Sequence, residues 1–246
     1  MFNYQIIIEY DGTNFAGWQK QKNEITVQST IEKSLSKILK KKIKLYGSGR
    51  TDSGVHAQAQ SAHFKLNFQI KNKFLFLNSV NFFLRSKKIS ILNINKKKID
   101  FHARFNAKKR VYKYVIINRV APPSLDFNKA WHIKSNLNLS MMKKAANLLK
   151  GKKDFSTFRS SSCNAKSPIK TLEEAKVKKI DDKIIIIFKS KSFLQKQVRS
   201  MVGCLKYVGE RKWNLKKIKN AIKSKKRKNC APPAPAHGLY LFKVFY

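Results

Sequence analysis

Residues 49–57 read Gly-Arg-Thr-Asp-Ser-Gly-Val-His-Ala and connect two segments whose apolar pattern predicts strands. In this loop Asp52 lies between two glycines, with Arg50 two positions before it and His56 four positions after it. One interpretation is a plain turn, because Asp and Gly are the commonest turn residues. The other is a functional carboxylate, because the chain has only 13 acidic residues against 54 lysines and arginines. The loop by itself leaves both interpretations open.

The segments around this loop predict a mixed α+β first half. Residues 4–10 alternate in polarity and run into Asp11-Gly12-Thr13, which is typical of a strand followed by a turn. Thr26 precedes apolar residues at helical spacing and is a candidate helix cap. The other predicted elements are strands over residues 43–46, 58–66 and 89–94 and a helix over residues 74–84. This β-α-β-β-α-β order is ferredoxin-like.

A similar order of elements is predicted for the second half. Its strands are expected over residues 110–118, 172–180, 183–189 and 239–245. Its helices are expected after a Ser140 cap, over the apolar residues from Leu194 to Val208, and over residues 215–222. The resulting interpretation is an α+β fold of two ferredoxin-like halves, whose antiparallel sheets flank a central basic cleft. The lysine-rich run at 96–98 predicts the boundary, which gives domains over residues 1–98, carrying the loop, and 99–246.

The composition narrows the class of protein. The formal net charge of +41 predicts an anionic partner, most simply a nucleic acid bound through its phosphates. Only nine of the 54 basic residues are arginines, so a general lysine bias accounts for part of this charge. No apolar run approaches the ~20 residues of a membrane-spanning helix, and the N-terminus enters a strand pattern instead of a signal peptide. We therefore expect a cytoplasmic protein with no membrane partner.

The metal-ligating residue types are scattered along the chain. Cys163, Cys204 and Cys230 have no paired spacing, which is typical of a reducing compartment and of neither a disulfide framework nor a zinc site. The five histidines are equally dispersed. No structural metal is expected.

Two residues of the second half are further candidates for chemistry. Arg199 lies among the apolar positions of a predicted helix, and a buried guanidinium needs a carboxylate partner. Asp52 is an attractive partner because acids are scarce, and the alternative is that Arg199 extends to water. Tyr112 lies in a predicted strand, where packing is the ordinary role of a tyrosine.

Eight segments, in order along the chain, resemble the tRNA pseudouridine synthase A family. The loop over residues 49–57 looks like the signature loop of this family. The other segments are Tyr10–Gln19, Thr26–Gln28, Phe101–Phe105, Arg110–Tyr114, Asp154–Arg159, Phe193–Gly203 and Gly238–Leu241. Together the eight span essentially the whole chain. The sequence departs from the family pattern at Gln197 and Ser200, where Met and Asn are common, and after residues 77–79.

The resemblance implies an isomerase that converts uridine to pseudouridine at positions 38, 39 and 40 of the tRNA anticodon stem-loop. It implies that Asp52 is the nucleophile, that Tyr112 packs against the target base and accepts a proton, and that Arg199 pairs with the carboxylate. Arg50 would hold the target base out of its stack. The reaction involves no redox change and no group transfer, so no cofactor is expected. The assembly implied by the family is a homodimer.

The resemblance also implies two segments that contact tRNA, with Arg104 and Lys166 as phosphate contacts. The alternative for each of these residues is a solvated surface position. The two segments comprise Phe101, His102, Ala103, Arg104 and Phe105, and Ser162, Cys163, Asn164, Ala165 and Lys166.

Two competing functions come from other classes of protein. The first is a non-catalytic RNA-binding protein, because ferredoxin-like sheets bind RNA through exposed aromatic side chains. Such a protein would need neither Asp52 nor Arg199. The second is a nucleoside glycosylase or hydrolase that acts on a flipped base, and it would release free uracil.

Overall fold

Ten strands and five α-helices make up the computed structural model, which describes every residue from Met1 to Tyr246. The predicted mixed α+β class is confirmed. Contacts divide the chain into unit 1, residues 1–108 and 241–246, and unit 2, residues 109–240. Residues 99–108 belong to unit 1. The Asn3 side-chain amide donates to the carbonyl oxygens of Lys98 and Phe101, at 3.0 and 2.8 Å.

Unit 1 contains four strands and two helices before residue 108. They are β1 (Phe2–Tyr10), α1 (Val27–Leu39), β2 (Tyr46–Gly47), β3 (His56–Leu66), α2 (Lys73–Leu84) and β4 (Ile89–Lys97). The strands pair antiparallel in the order β4-β1-β3, and β2 pairs with β3. Ile6 of β1 and Ile31 and Leu35 of α1 are fully buried, since each faces the core of this unit.

Unit 2 contains five complete strands and three helices. They are β5 (Lys109–Asn118), β6 (Trp131–Ile133), α3 (Leu139–Leu149), β7 (Gly151–Asp154), β8 (Ile169–Ile180), β9 (Lys183–Ser190), α4 (Gln197–Gly209) and α5 (Leu215–Ser224). Strands β5-β9-β8-β7 pair antiparallel in this order, and β6 pairs in parallel with β5. Strand β10 (Leu239–Phe245) begins in unit 2, and its residues from Leu241 belong to unit 1.

Most predicted strands are present, and the differences occur where strands are short. The strand predicted over residues 43–46 is reduced to Tyr46–Gly47. Strands β6 and β7 were missed because they are only three and four residues long. The run Gly151-Lys152-Lys153-Asp154 of β7 has no apolar residue, so no alternation could reveal it.

The predicted helices are also present, with corrections at two N-termini. Helix α3 is capped by Asn138 rather than Ser140, and the Asn138 side chain accepts a hydrogen bond from the Met141 N–H at 2.9 Å. Helix α4 begins only at Gln197, because Lys196 has a left-handed backbone conformation with φ of 61°. At α1 the predicted Thr26 cap is confirmed by its hydrogen bond from the Ser29 N–H, at 3.3 Å.

Helix α4 packs against the backbone of residues 232–235, which read Pro-Pro-Ala-Pro. A Cβ atom on Gly203 would lie 2.0 Å from the Pro232 carbonyl oxygen, so no larger residue fits there without moving the backbone. The Ala234 N–H donates to the Arg199 carbonyl oxygen at 2.9 Å and holds the segment on the helix. Gly209, also in α4, faces the flexible Met142 side chain instead.

We expect Gly203→Ala to lower the free energy of unfolding by about 2–3 kcal/mol, because the added methyl group meets a backbone carbonyl. Without that clash, Ala would stabilise a helix by about 1 kcal/mol relative to Gly. Gly209→Ala is the matched control in the same helix, and it should stay within about 1 kcal/mol of wild type because Met142 can change rotamer. Urea unfolding followed by circular dichroism measures both variants. Equal losses in the two would contradict the close backbone contact.

Candidate active site and nucleic-acid interface

The loop over residues 49–57 is held by the N-terminal segment that follows β1. The Trp18 N–H donates to the Thr51 carbonyl oxygen at 3.1 Å, and the hydroxyls of Tyr10 and Thr51 are 2.8 Å apart. The Phe15 carbonyl oxygen accepts two hydrogen bonds from the loop, one from the Gly54 N–H at 3.3 Å and one from the Ser53 hydroxyl at 3.1 Å. Two segments that are distant in sequence therefore form one local structure within unit 1.

Two glycines of the N-terminal segment make this approach sterically possible. A Cβ atom on Gly12 would lie 2.0 Å from the Val55 carbonyl oxygen, and one on Gly17 would lie 2.6 Å from that of Thr51. Gly17 also has a φ of +99°, which favours glycine over other residues. Backbone packs directly on backbone at both points.

The start of the loop is fixed by a side-chain amide from β3. Gln60 donates from Nε2 to the Gly49 carbonyl oxygen at 2.8 Å and accepts the Ser48 hydroxyl proton at its Oε1, also at 2.8 Å. Gln60 and Ser48 are both buried. Arg50, which follows them, is exposed.

Asp52 begins a β-turn. Its carbonyl oxygen accepts from the Val55 N–H at 3.2 Å, and Gly54 has the positive φ, 74°, that a type II turn requires at its third residue. The Asp52 side chain is half-buried. The turn interpretation is thus correct for the backbone, and it leaves the site interpretation standing for the carboxylate.

His56 ends the loop in a buried position. Its Nδ1 lies 2.9 Å from the Gly12 N–H and 3.2 Å from Asp11 Oδ1. An Nδ1 that accepts the Gly12 proton carries no proton of its own, so in that state the short distance to Asp11 is not an ion pair. Burial raises the pKa of Asp11, but two hydrogen bonds from Thr13, together with the charge of Lys88, outweigh it and leave the pKa below its ordinary value. His56 joins the loop to the turn after β1.

Tyr112 lies on β5 of unit 2, where it is buried. It is paired in register with Phe188 of β9. Its ring meets the Phe193 ring edge-on, with 5.2 Å between centroids and an interplanar angle of 86°. Tyr112 therefore belongs to an aromatic group that spans β5 and the segment before α4.

Arg199 is half-buried on α4 and is attached to residues 232–235 at two points. Its Nε donates to the Ala234 carbonyl oxygen at 2.7 Å, and its carbonyl oxygen accepts from the Ala234 N–H. The same segment accepts a hydrogen bond from the buried Tyr114 hydroxyl at the Pro235 carbonyl oxygen, at 2.9 Å. Burial raises the pKa of Tyr114, and the Arg199 charge opposes that rise. The guanidinium is thus oriented by the backbone rather than free to extend into water.

The segment over residues 101–105 forms part of an aromatic cluster in unit 1, comprising Tyr46, His63, Phe101, His102 and Phe105. The His102 ring lies 4.3 Å from the Phe105 ring and 4.7 Å from the His63 ring, and Tyr46 stacks on His63 at 5.1 Å. The Phe105 side chain is 73% exposed. Sequence spacing does not indicate Tyr46 and His63, because their contact with residues 101–105 is made only in three dimensions.

Basic side chains surround this aromatic cluster. The Lys44 ammonium lies 5.3 Å from the Tyr46 ring centroid, and the Lys97 ammonium lies 5.5 Å from that of Phe101. Arg104 is exposed next to Phe105. Exposed aromatic rings flanked by cations are the combination that stacks and neutralises single-stranded nucleic acid.

Ala103 differs from the other residues of its segment because it is fully buried. Its N–H donates to His63 Nδ1 at 3.2 Å, and its carbonyl oxygen accepts from the Tyr246 hydroxyl at 2.9 Å. It anchors the segment and offers no side-chain surface to a ligand.

The second predicted RNA segment, residues 162–166, lies in unit 2. Cys163 is buried, and its carbonyl oxygen accepts from the Arg159 guanidinium at 2.7 Å. Asn164 and Lys166 are exposed, and Ala165 is half-buried. The exposed Ser162 hydroxyl lies 3.1 Å from that of Ser160. The segment presents three polar side chains next to a buried anchor.

Two further properties bear on the kind of site. No group of three or more His, Cys, Asp or Glu side chains is arranged to hold a metal ion. None of the helices is both long and apolar enough to cross a membrane.

Comparison with known proteins gives one consistent result. A family profile described as tRNA pseudouridine synthase matches residues 6–106 and 145–246. The tRNA pseudouridine synthase A of Pelagibacter ubique is 57% identical over 246 residues, the full length of both chains. Proteins of the same name from Parvibaculum lavamentivorans and Ehrlichia canis are 42% and 41% identical, over 100% and 99% of each chain.

The His63 environment predicts a pH-dependent stability. Burial, reinforced by the charge of His102, lowers the pKa of His63 from 6.5 to about 4. As the pH falls, His63 is therefore protonated in the unfolded chain before it is protonated in the folded chain. This lowers the free energy of unfolding by about 3 kcal/mol between pH 6.5 and pH 4, and has no effect above pH 6.5. In His63→Asn, a side chain that does not titrate can still accept from Ala103, and this part of the pH dependence should disappear. Urea unfolding at pH 7 and pH 4 measures the change.

His132→Asn is the matched control, because it makes the same substitution outside the aromatic cluster. If the free energy of unfolding of His63→Asn changed with pH as much as that of the wild type, the pH dependence could not be assigned to His63.

Proposed function

Because the chain belongs to the tRNA pseudouridine synthase family, we propose that it converts uridine to pseudouridine at positions 38, 39 and 40 of the tRNA anticodon stem-loop, with Asp52 as nucleophile. The observation that carries the proposal is the match of the whole chain, at 57% identity and equal length, to a tRNA pseudouridine synthase A. The family is one of isomerases that act on tRNA uridine. The position in the tRNA and the residue roles are our inference.

The chemistry explains why a fixed carboxylate is needed. The bond from ribose to N1 of uracil must break, the base must rotate, and a carbon–carbon bond must form. A covalent nucleophile divides this into easier steps. The Asp52 turn supports the assignment, because backbone hydrogen bonds hold it in place. The proposal is the same for attack on the base and for attack on the ribose, and neither requires a redox cofactor.

The other assigned residues support the same reaction. A guanidinium next to a carboxylate keeps it ionised and oriented, and we assign this role to Arg199. Tyr112 is assigned to pack on the target base and to accept a proton, and its place in an aromatic group is suited to the first of these roles. The exposed Arg50 is assigned to hold the base out of its stack. Extruding the base costs about a few kcal/mol, which contacts to the RNA must offset.

The contacts to RNA are assigned to two regions. One is the aromatic cluster with Arg104, where exposed rings and cations lie together. The other is residues 162–166, with Lys166 as the cation. The formal net charge of +41 favours binding of phosphate at either region.

The proposal also includes the arrangement of the two halves of the chain and its oligomeric state. We infer two ferredoxin-like halves flanking a basic cleft, and the β4-β1-β3-β2 order of unit 1 supports this for the first half. A homodimer in the cytoplasm is inferred from the family alone.

The proposal is tested with an unmodified tRNA transcript that carries uridine at positions 38–40. Digestion to nucleosides and chromatography should detect pseudouridine and no free uracil. A matched transcript with cytidine at these three positions should gain none. Release of free uracil would favour a glycosylase, and binding without either product would favour a non-catalytic RNA-binding protein.

Asp52→Asn should reduce pseudouridine formation by at least about 10³-fold, because the amide cannot act as the nucleophile. Binding of tRNA should change by less than about threefold, since phosphate contacts dominate affinity. Glu24→Gln is the matched control, because it removes an exposed acid from the same unit and should keep full activity. Single-turnover assays and filter binding measure the two quantities. If Asp52→Asn retained activity close to that of the wild type, the assignment of Asp52 as the nucleophile would be wrong.

Phe105→Ala should weaken binding of the anticodon stem-loop by about 5- to 150-fold, the effect of losing one stacked base. Phe74→Ala is the control, because Phe74 is equally exposed, at 71% against 73%, and lies on α2 in the same unit. It should bind within about twofold of wild type. Equal effects of the two substitutions, measured by fluorescence anisotropy with a labelled stem-loop, would argue against the aromatic cluster as an RNA surface.

A further inference from the structure

Two of the three cysteines meet in unit 2, although they are 26 positions apart in sequence. The Cys204 and Cys230 sulfur atoms are separated by 3.5 Å. Cys204 lies on the buried face of α4, and Cys230 directly follows a turn of 3-10 helix over Arg227–Asn229. A disulfide bond requires about 2.05 Å, so the two sulfur atoms must approach by about 1.5 Å. Rotation of the side chains provides a movement of this size.

We propose that Cys204 and Cys230 form a modification site, at which an oxidant of the peroxide class converts the two thiols into a reversible intramolecular disulfide. The reaction of the family does not use these residues. The proposal therefore stands whether or not the proposed function is correct.

The two thiols differ in access. Cys204 is completely buried, whereas Cys230 is partly exposed. A small oxidant in solution therefore reaches Cys230 first. Cys163, the third cysteine, is buried with its backbone bound to Ser160 and Arg159, and it has no second thiol as a hydrogen-bonding neighbour.

The surroundings also favour Cys230 as the attacking sulfur. The hydrogen bond between the two sulfur atoms lowers the pKa of Cys230 and raises that of Cys204, as it does when Cys204 is the donor. Burial opposes the lowering at Cys230, and the Arg227 guanidinium adds to it. Arg227 is held in place by its Nη1, which donates to the Ser200 hydroxyl at 2.8 Å. A thiolate next to a cation is the form of cysteine that reacts with peroxide.

The oxidation of the two thiols proceeds in two steps. The Cys230 thiolate attacks one peroxide oxygen, the oxygen–oxygen bond breaks, and hydroxide leaves, so that Cys230 becomes a sulfenic acid. The Cys204 sulfur then attacks the Cys230 sulfur, the sulfur–oxygen bond breaks, and the departing hydroxide takes the Cys204 proton as water. The first hydroxide takes the proton that Cys230 lost on becoming a thiolate, so two thiols are oxidised by two electrons in total and one peroxide is reduced to two molecules of water.

The bond would tether two elements that are already in contact. It would close a loop that contains α5 and join α4 to the chain just before residues 232–235, which hold Arg199. A crosslink over 26 residues restricts the unfolded chain, and the midpoint of thermal unfolding should rise by roughly 5–10 °C.

The test uses the full-length protein treated with graded hydrogen peroxide, quenched with catalase and alkylated in denaturant. Peptide mapping without reduction should show one crosslinked pair, Cys204 with Cys230, which dithiothreitol removes. Cys163→Ser should keep this pair, whereas Cys204→Ser should lose it and accumulate a sulfenic acid at Cys230 that dimedone traps. Differential scanning fluorimetry of the oxidised and reduced wild type measures the midpoint.

Three results would overturn the proposal. One is that both thiols remain alkylatable at peroxide concentrations that fully oxidise free glutathione. The second is a crosslink that includes Cys163 or a second chain. The third is an oxidised protein that unfolds at the same temperature as the reduced one. The wild-type mapping decides the question even if a serine variant fails to fold.

Discussion

Direct packing of backbone on backbone is the constraint on which the candidate site depends. Residues 12–18 reach the loop over residues 49–57 so closely that a Cβ atom at Gly12 or Gly17 would overlap a loop carbonyl. Contacts of this kind fix the path of the main chain without using the functional side chains. Backbone hydrogen bonds of the loop set the position of Asp52. Such preorganisation is what makes an electrostatic or nucleophilic group effective, because little reorganisation is needed during the reaction.

Unit 2 positions its guanidinium by the same means. Gly203 lets residues 232–235 lie directly on α4, and the Ala234 peptide then binds both the backbone and the Nε of Arg199. Gly238 allows a similar approach to the Tyr114 ring, at 2.6 Å from a Cβ atom. Each of the two units thus has glycines at the points where the backbone packs closely next to a candidate residue.

The sequence was informative about elements with a clear period and about single residues of unusual type. The apolar stripe after Thr26 predicted the correct helix cap, and the scarcity of acids in the whole chain made the loop that carries Asp52 the candidate site. Short elements such as β7 were missed because four polar residues carry no period. The pairing of Tyr46 with His63 and His102 was also missed, because it depends on β2 meeting β3 and on the path of residues 101–105. Sequence spacing carries no trace of such contacts. The assigned roles of Tyr112 and Arg199 stay predictions that came from the family resemblance.

Most of strand β10 belongs to unit 1, although the ribosome makes it long after the rest of that unit. Unit 1 includes residues 241–246, and the Lys108 N–H donates to the Phe245 carbonyl oxygen at 2.8 Å. The Tyr246 hydroxyl reaches both Ser61 and Ala103. A ribosome that adds about 5–20 residues per second needs roughly 7–28 s to travel the 138 residues from 108 to 246. Unit 1 is therefore complete only when residues 241–246 have been made, and the edge of β3 that pairs with β10 is open to other strands until then.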